Sequence, residues 1–234
     1  MAQSPVVLII RDGWGVNPGG PETSKADGNA TLLANTPFHD QLLKQYPKGL
    51  ISCSGLDVGL PEGQMGNSEV GHLNLGAGRI VYQDLTRINR VLEEDSLGDN
   101  EVLQKAFSKA QTGRLHLVGL VSDGGVHSHQ DHLVALAAAA HSAGVEDIMA
   151  HAITDGRDTS PTGGADYLGG VEDGLAKYGA RIATVIGRYF AMDRDRRWER
   201  TKKGWDAIVH GVGEESDVLA SEAVAGNYRE GRTD

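Results

Sequence analysis

The strongest candidate for a chemically reactive residue in this sequence is a serine. Ser68 lies in the segment MGNSEVGHLNLGAGR (residues 65–79), where Gly66 and Gly71 remove side chains from a tight turn. Residues 69–75 favour a helix that begins at or near Ser68, and free N–H groups at a helix N-terminus attract anions. Ser68 could therefore hold and transfer a phosphoryl group. Serine is also a common N-cap, and the motif taken alone favours that purely structural role.

A carboxylate near the N-terminus is the second candidate. The apolar run VVLII (residues 6–10) is followed at once by Arg11 and Asp12, which predicts a buried strand that ends in a carboxylate. Ligands of open α/β sheets bind at the carboxyl ends of strands. An oxygen donor at that position can hold a divalent cation beside a serine, so Asp12 is a candidate metal ligand.

Three regularly spaced segments predict the architecture that must position such residues. Apolar runs begin at Leu115, Ile148 and Arg181 at equal spacing, and each is followed by a polar, glycine-bearing loop and a helix-like stretch. We interpret these segments as three βα units of an α/β fold with a doubly wound parallel layer. A solenoid is disfavoured because the loops and helices of the three segments do not match in sequence.

Two helices of these units have further sequence signals. Ser128 and Asp131 form a capping-box pattern at the start of a helix that Gly144 ends. A second helix, in the third unit, carries Trp198 and Trp205, which we expect to pack in the core.

Composition limits the possible partners. Lys and Arg number 22 against 32 Asp and Glu, which gives a net charge of −10. A general affinity for nucleic acid or for an anionic membrane is therefore not expected, and an anionic ligand needs a local cluster of arginines.

The N-terminal apolar run is too short for a signal peptide, and no segment has membrane-spanning length. The single cysteine, Cys53, excludes an intrachain disulfide and is expected to be a buried, inert thiol in a reducing compartment such as the cytoplasm.

Five motifs in order resemble one known family. LIIRDGWG (residues 8–15) and MGNSEVGHLNLGAGR (65–79) are similar to motifs of the cofactor-independent (2,3-bisphosphoglycerate-independent) phosphoglycerate mutases, of the alkaline phosphatase-like superfamily. SDGGVHSH (122–129), TDGRDT (154–159) and GRYFAMDR (187–194) also look like family motifs.

The resemblance implies an isomerase of glycolysis and gluconeogenesis that interconverts 3-phosphoglycerate and 2-phosphoglycerate. Ser68 would carry the phosphoryl group, with no 2,3-bisphosphoglycerate as cofactor. Asp12 and Ser68 would ligate manganese, of which two ions are expected in the whole protein, with magnesium or cobalt as possible replacements. By matching position, the implied substrate contacts are His129, Arg157, Asp158, Arg188 and Arg194.

The same resemblance implies two domains in a three-layer α/β/α architecture. Residues 1–82 would begin an alkaline phosphatase-like domain, and residues 83–234 would form most of an inserted phosphotransferase domain. The family is about twice as long as this chain and supplies its other metal ligands from the later half. We expect a monomer when the protein is complete. Because those later ligands are missing here, we expect no activity from this chain alone. A catalytically silent phosphoglycerate-binding fragment and a metal-dependent phosphatase or phosphopentomutase are the alternatives.

Overall fold

Contacts between residues divide the chain into two compact units. The computed structural model describes residues 5–11 and 13–233, and the units are Met1–Tyr82 and Gln83–Asp234. We call them the N-terminal unit and the C-terminal unit. The assignment of the first to metal and nucleophile and of the second to substrate binding stays a prediction.

The N-terminal unit consists of short helices and loops. Its α-helices are α1 (Ala30–Leu33), α2 (Pro37–Gln45) and α3 (Ser68–Ala77). A 3₁₀ turn over Gly55–Val58 precedes α3, and an isolated antiparallel bridge joins Ser54 to Met65. A small cluster of Val58, Leu60 and Val70 is buried in this unit.

The strand predicted for residues 6–10 is not formed, and this expectation was wrong. These residues have no regular secondary structure, and the side chains are exposed, with Val6 95% and Ile9 79% accessible. A strand needs backbone partners on at least one side. Within the described part of the N-terminal unit, the only ladder contact is the Ser54–Met65 bridge, so the apolar run has nothing to pair with.

The C-terminal unit is built on a parallel sheet. Strands β1 (Leu115–Val121), β2 (Ile148–Thr154) and β3 (Arg181–Gly187) lie side by side in chain order. The predicted α/β class and the three predicted strand starts are thus confirmed. The reversal of strand order that a doubly wound sheet contains is not found among the described strands. The described part of this unit also contains a 3₁₀ turn (Leu97–Asp99) and seven α-helices: α4 (Asp84–Glu93), α5 (Glu101–Ala110), α6 (Gln130–Ser142), α7 (Gly164–Ala176), α8 (Arg188–Ala191), α9 (Trp198–His210) and α10 (Ala220–Arg229).

The core of the C-terminal unit lies between the sheet and helices α6 and α7. The central strand β2 is buried along nearly its whole length, as expected for a parallel strand with neighbours on both sides. Small residues let the two helices approach each other: a Cβ at Gly174 of α7 would lie 2.8 Å from Val134 of α6. Leu168 and Leu175 of α7 are completely buried. This packing fixes the strands whose ends carry the polar loops.

Three local expectations differ from the structure. Trp198 and Trp205 are 71% and 59% exposed, because α9 packs through its small residue Gly204, where a Cβ would lie 3.1 Å from the Cα of Ala191. Cys53 is exposed, since the segment around it belongs to no sheet or helix. His129, and not Ser128, is the N-cap of α6.

No helix among the described residues is long and apolar enough to cross a lipid bilayer.

Candidate active-site residues

The three parallel strands of the C-terminal unit end in one row, and a polar residue follows each of them. Val121 of β1 pairs with Thr154 of β2, and Thr154 pairs with Gly187 of β3. The next residues along the chain are Ser122, Asp155 and Arg188. The carboxyl edge of a parallel sheet is where α/β proteins bind ligands, so the sheet itself brings these three groups to the expected place.

Asp155 is the centre of the hydrogen bonds at this edge. Its Oδ2 accepts the hydroxyl of Ser122 at 2.8 Å, and its Oδ1 accepts the backbone N–H groups of Arg157 at 3.2 Å and Asp158 at 3.0 Å. Oδ1 also accepts Nη1 of Arg188 at 2.6 Å, and the Asp155 side chain is only 1% exposed. Burial alone would raise the pKa of Asp155. The N–H of Asp158, the guanidinium, the Ser122 hydroxyl and the N–H of Arg157 together hold that pKa below its usual value.

Arg188 carries two carboxylate partners. Its Nη1 donates to Asp155 and, at 2.7 Å, to Oδ2 of Asp158. Burial opposes its charge, but hydrogen bonds and charge attraction from Asp158 and Asp155 raise the pKa of Arg188, so the guanidinium stays charged. His127 lies on the outer side of this pair, with Nε2 3.7 Å from the same Asp158 oxygen. The structure thus brings Arg188 and Asp158 together, as the motif positions imply.

Arg157 and Arg194 have a different environment. Both are exposed, and neither side chain has a hydrogen bond or ion pair with another described residue. The loop that carries Arg194 is nevertheless held by Asp193, which accepts the backbone N–H of Arg197 at 2.8 Å and lies 3.4 Å from Nη1 of Arg200. The Arg200 guanidinium also stacks on the Tyr189 ring at 3.8 Å. The guanidinium groups of Arg157 and Arg194, which have no partner among the described residues, are available to bind an anion.

His129 has a structural contact as the N-cap of α6. Its Nδ1 accepts the backbone N–H of Asp131 at 3.3 Å, so the proton of the neutral ring is on Nε2. His132, whose ring centre is 5.7 Å away, donates Nε2–H to Asn89 at 2.7 Å. Burial and then the nearby His129 lower the pKa of His132, which keeps it neutral. A ligand-contact role for His129 stays a prediction, with its Nε2–H as the group that would donate.

Sequence reasoning missed Asp155, although it lies inside the motif TDGRDT (154–159). One available signal was the pattern of an aspartate directly after a strand, with backbone N–H groups two and three residues later. An Asx turn has this pattern and places the carboxylate on those donors. Ser122 was also missed, because its partner Asp155 is distant in sequence. Asp193 was missed although its partners Arg197 and Arg200 are near it in sequence.

In the N-terminal unit, Ser68 is the first residue of helix α3 and is not its cap. The cap is Asn67, whose Oδ1 accepts the N–H of Val70 at 3.0 Å. The purely structural explanation of Ser68 as an N-cap is therefore wrong. The turn before it requires Gly66, because a Cβ there would overlap the carbonyl oxygen of Cys53. Gly71 is inside the helix with open space around it, so its predicted role in the turn is wrong as well.

His72 lies one helical turn beyond Ser68 and contacts its hydroxyl. Nδ1 of His72 is 2.7 Å from the carbonyl oxygen of Ser68 and 3.1 Å from its Oγ. A carbonyl can only accept, so Nδ1 carries the proton and donates to both oxygens. Nδ1 therefore cannot take a proton from Ser68 in this arrangement.

The described residues do not by themselves form a metal site. Within residues 5–11 and 13–233, no group of three or more His, Cys, Asp or Glu side chains is arranged to hold a metal ion. Asp12, the other predicted ligand, lies outside the described residues. The residues that the structure describes thus do not fit a complete metal site.

A parallel α/β sheet with guanidinium and carboxylate groups at its carboxyl edge is the layout of an α/β protein that binds a small anionic ligand. Comparisons with known proteins specify this class further. A sequence model described as the BPG-independent PGAM N-terminus matches residues 88–234. The chain is 58% identical over 233 residues to the 2,3-bisphosphoglycerate-independent phosphoglycerate mutase of Akkermansia muciniphila, and the match spans 100% of this chain and 45% of that protein.

Two further relatives agree. The protein of the same name from Syntrophotalea carbinolica is 53% identical over 98% of this chain and 44% of its own length. A solved structure of Leishmania mexicana phosphoglycerate mutase, described as at low cobalt concentration, superposes with a TM-score of 0.65 at 35% identity. That superposition covers 86% of this chain and 38% of the other.

The chain belongs to the 2,3-bisphosphoglycerate-independent phosphoglycerate mutase family. It spans about half the length of the curated relatives that it matches.

Proposed function

We propose that the chain forms the N-terminal part of a metal-dependent phosphoglycerate mutase that interconverts 3-phosphoglycerate and 2-phosphoglycerate. The observation that carries this proposal is the charged cluster around Arg188 at the carboxyl edge of the sheet, in a chain of this family. The family belongs to the isomerases that move a phosphoryl group within one molecule. Since such an enzyme works in glycolysis and the chain has one cysteine, the cytoplasm is the compartment that we propose.

The C-terminal unit would bind the substrate. Phosphoglycerate carries a phosphate and a carboxylate, and planar guanidinium groups bind both by paired hydrogen bonds. Arg157 and Arg194 are exposed and without ionic partners among the described residues, so they can reach such an anion directly. Arg157, Arg188 and Arg194 would supply three positive charges for the anion, and Asp155 and Asp158 pair with Arg188 alone among them, in a chain whose net charge is −10. Asp158 and His129 would bind the remaining hydroxyl or carboxylate oxygens.

Ser68 would carry the phosphoryl group between the two hydroxyls of glycerate. Its Oγ loses a proton and forms a bond to phosphorus, while the bond from phosphorus to the substrate oxygen breaks and that oxygen takes up a proton. The other hydroxyl of glycerate then loses its proton and attacks the phosphorus, which returns Ser68 to the protonated hydroxyl. The proton on His72 Nδ1 lies where it can donate to Ser68 Oγ during both halves. We propose Asp12 and Ser68 as metal ligands, with manganese as the expected ion.

Turnover should need more than this chain. Metal sites of this type usually need at least about three protein ligands, and the proposal names two here. We therefore expect binding without catalysis: weak affinity for 3-phosphoglycerate and no mutase activity when manganese is added.

Calorimetric titration of the 234-residue chain with 3-phosphoglycerate tests this proposal. Arg188→Ala and Arg194→Ala should each weaken binding by about ten- to a hundredfold, because a charge-assisted hydrogen bond contributes roughly 1.5–3 kcal/mol. Lys177→Ala is the matched control, since this exposed lysine follows α7 and precedes β3 at the opposite edge of the sheet. Equal affinity in all four proteins would contradict the proposed substrate site.

A further inference from the structure

The two carboxylates on Arg188 differ in how firmly they are held. Both bind the same nitrogen, Nη1, at 2.6 and 2.7 Å. The Asp155 side chain is 1% exposed, whereas the Asp158 side chain is 20% exposed. Nη2 and Nε of Arg188 have no hydrogen bond with the described residues, so an edge of the guanidinium remains for another acceptor.

Asp155 cannot leave Arg188 without losing other bonds. Its carboxylate also accepts the Ser122 hydroxyl and the N–H groups of Arg157 and Asp158. Each of these donors would be left without this acceptor at a largely buried position, which is unfavourable. Asp155 therefore fixes both the Arg188 side chain and the backbone turn that carries Arg157 and Asp158.

Asp158 has few other contacts. Besides Arg188, the side-chain contact of its carboxylate among the described residues is Nε2 of the half-exposed His127, at 3.7 Å. Water can replace Arg188 as its partner when the side chain rotates outward. A bound anion would place a third negative group beside one guanidinium, and release of the exposed carboxylate relieves that repulsion.

We propose that Asp155 is a positioning residue that holds Arg188 ready for an anion, and that Asp158 is an exchangeable partner released when the anion binds. The identity of the anion as phosphoglycerate rests on the proposed function, but the division of roles between the two carboxylates does not.

Phosphate binding by the whole chain separates this proposal from a simple charge effect. If both carboxylates acted only through repulsion, Asp155→Asn and Asp158→Asn would each strengthen the binding of inorganic phosphate. The positioning role gives opposite signs: Asp155→Asn weakens phosphate binding by about tenfold, because Arg188 loses its fixed charged partner, while Asp158→Asn strengthens it. Stronger binding by both variants would overturn the proposal.

A second readout needs no ligand. In ¹⁵N NMR spectra of the whole chain at low temperature, the Nη1–H signal of Arg188, assigned by its loss in Arg188→Lys, should be resolved and slow to exchange, because Nη1 donates to Asp155 and Asp158. Asp155→Asn should broaden it or speed its exchange, and Asp158→Asn should leave it in place. An unchanged signal in Asp155→Asn, or its loss in Asp158→Asn, would contradict the assigned roles. If the wild-type chain binds no 3-phosphoglycerate or phosphate, the proposed function fails for this chain while the NMR result still decides the roles of Asp155 and Asp158.

Circular dichroism checks that each variant is folded. If Asp155→Asn does not fold, Ser122→Ala replaces it, because this change removes one of the bonds that fix Asp155 and keeps its charge. Ser122→Ala should then weaken phosphate binding and speed the exchange of the Arg188 Nη1–H. No change in either measurement would count against Asp155 as the positioning residue.

Discussion

Asp155 and Arg188 join the carboxyl ends of two neighbouring strands through a bond of 2.6 Å between residues 33 positions apart. The pair is formed because Thr154 of β2 and Gly187 of β3 are in register, so the residues that follow them emerge side by side. The same carboxylate holds the turn with Arg157 and Asp158. One buried group thus connects the packing of the sheet to the arrangement of three motif residues.

Acidification should remove the stabilising contribution of Asp155. Its pKa is lowered in the folded chain, so the unfolded chain takes up the proton more readily. The contribution is fully present above the ordinary value of 3.8 and is lost as the pH falls below it towards the folded pKa. In urea unfolding followed by circular dichroism, the loss of stability in Asp155→Asn should be large at pH 7 and should shrink below pH 3.8. Asp173→Asn, at an exposed position of α7, is the matched control for the loss of a carboxylate.

Removal of the α3 cap should affect the helix, whereas removal of the Ser68 hydroxyl should not. Asn67→Ala leaves the Val70 N–H without its acceptor and costs about 1 kcal/mol, or about fivefold faster amide exchange in the first turn of α3. Ser68→Ala should leave this exchange unchanged, since Ser68 Oγ caps no backbone group. Hydrogen exchange at Val70 measures both. Equal acceleration by the two variants would restore a capping role for Ser68.

The glycines on the two sides of Ser68 should respond in opposite ways to alanine. Gly66→Ala places a Cβ against the Cys53 carbonyl and must move the backbone ahead of Ser68. Gly71→Ala enters open space inside a helix and should stabilise α3 by about 0.5–1 kcal/mol. Hydrogen exchange in α3 should therefore speed up in the first variant and slow down in the second. A faster exchange in Gly71→Ala would show that the surroundings of this residue are not open.

Much of the C-terminal unit follows from local sequence. The starts of β1, β2 and β3 and the end of α6 near Gly144 were predictable, because apolar runs and glycine signals lie within each element. Arg188 and Asp158 were named as site residues from their motifs, and they do lie together. Asp155 was not identified from the sequence. Its role depends on hydrogen bonds with Ser122 and Arg188, and only the register of the strands brings these residues close to it.

The remaining errors have a common physical cause. Residues 6–10, Cys53, Trp198 and Trp205 were expected to be buried because of their apolar character, yet all of them have exposed side chains. Apolar character indicates a tendency to be covered but does not supply the covering surface. In α9 the small residue Gly204 determines which face packs, a choice that depends on Ala191 of another helix.

Detection of a phosphoryl group on Ser68 tests the proposed function most directly. A protein of the relatives' full length that contains this chain would be mixed with 3-phosphoglycerate, quenched during turnover and digested for mass spectrometry. The account predicts phosphate on the peptide containing Ser68, a loss of both phosphate and mutase activity in Ser68→Ala, and retention of both in the matched control Ser142→Ala. Phosphate found reproducibly on another residue, with Ser68→Ala still active, would contradict it.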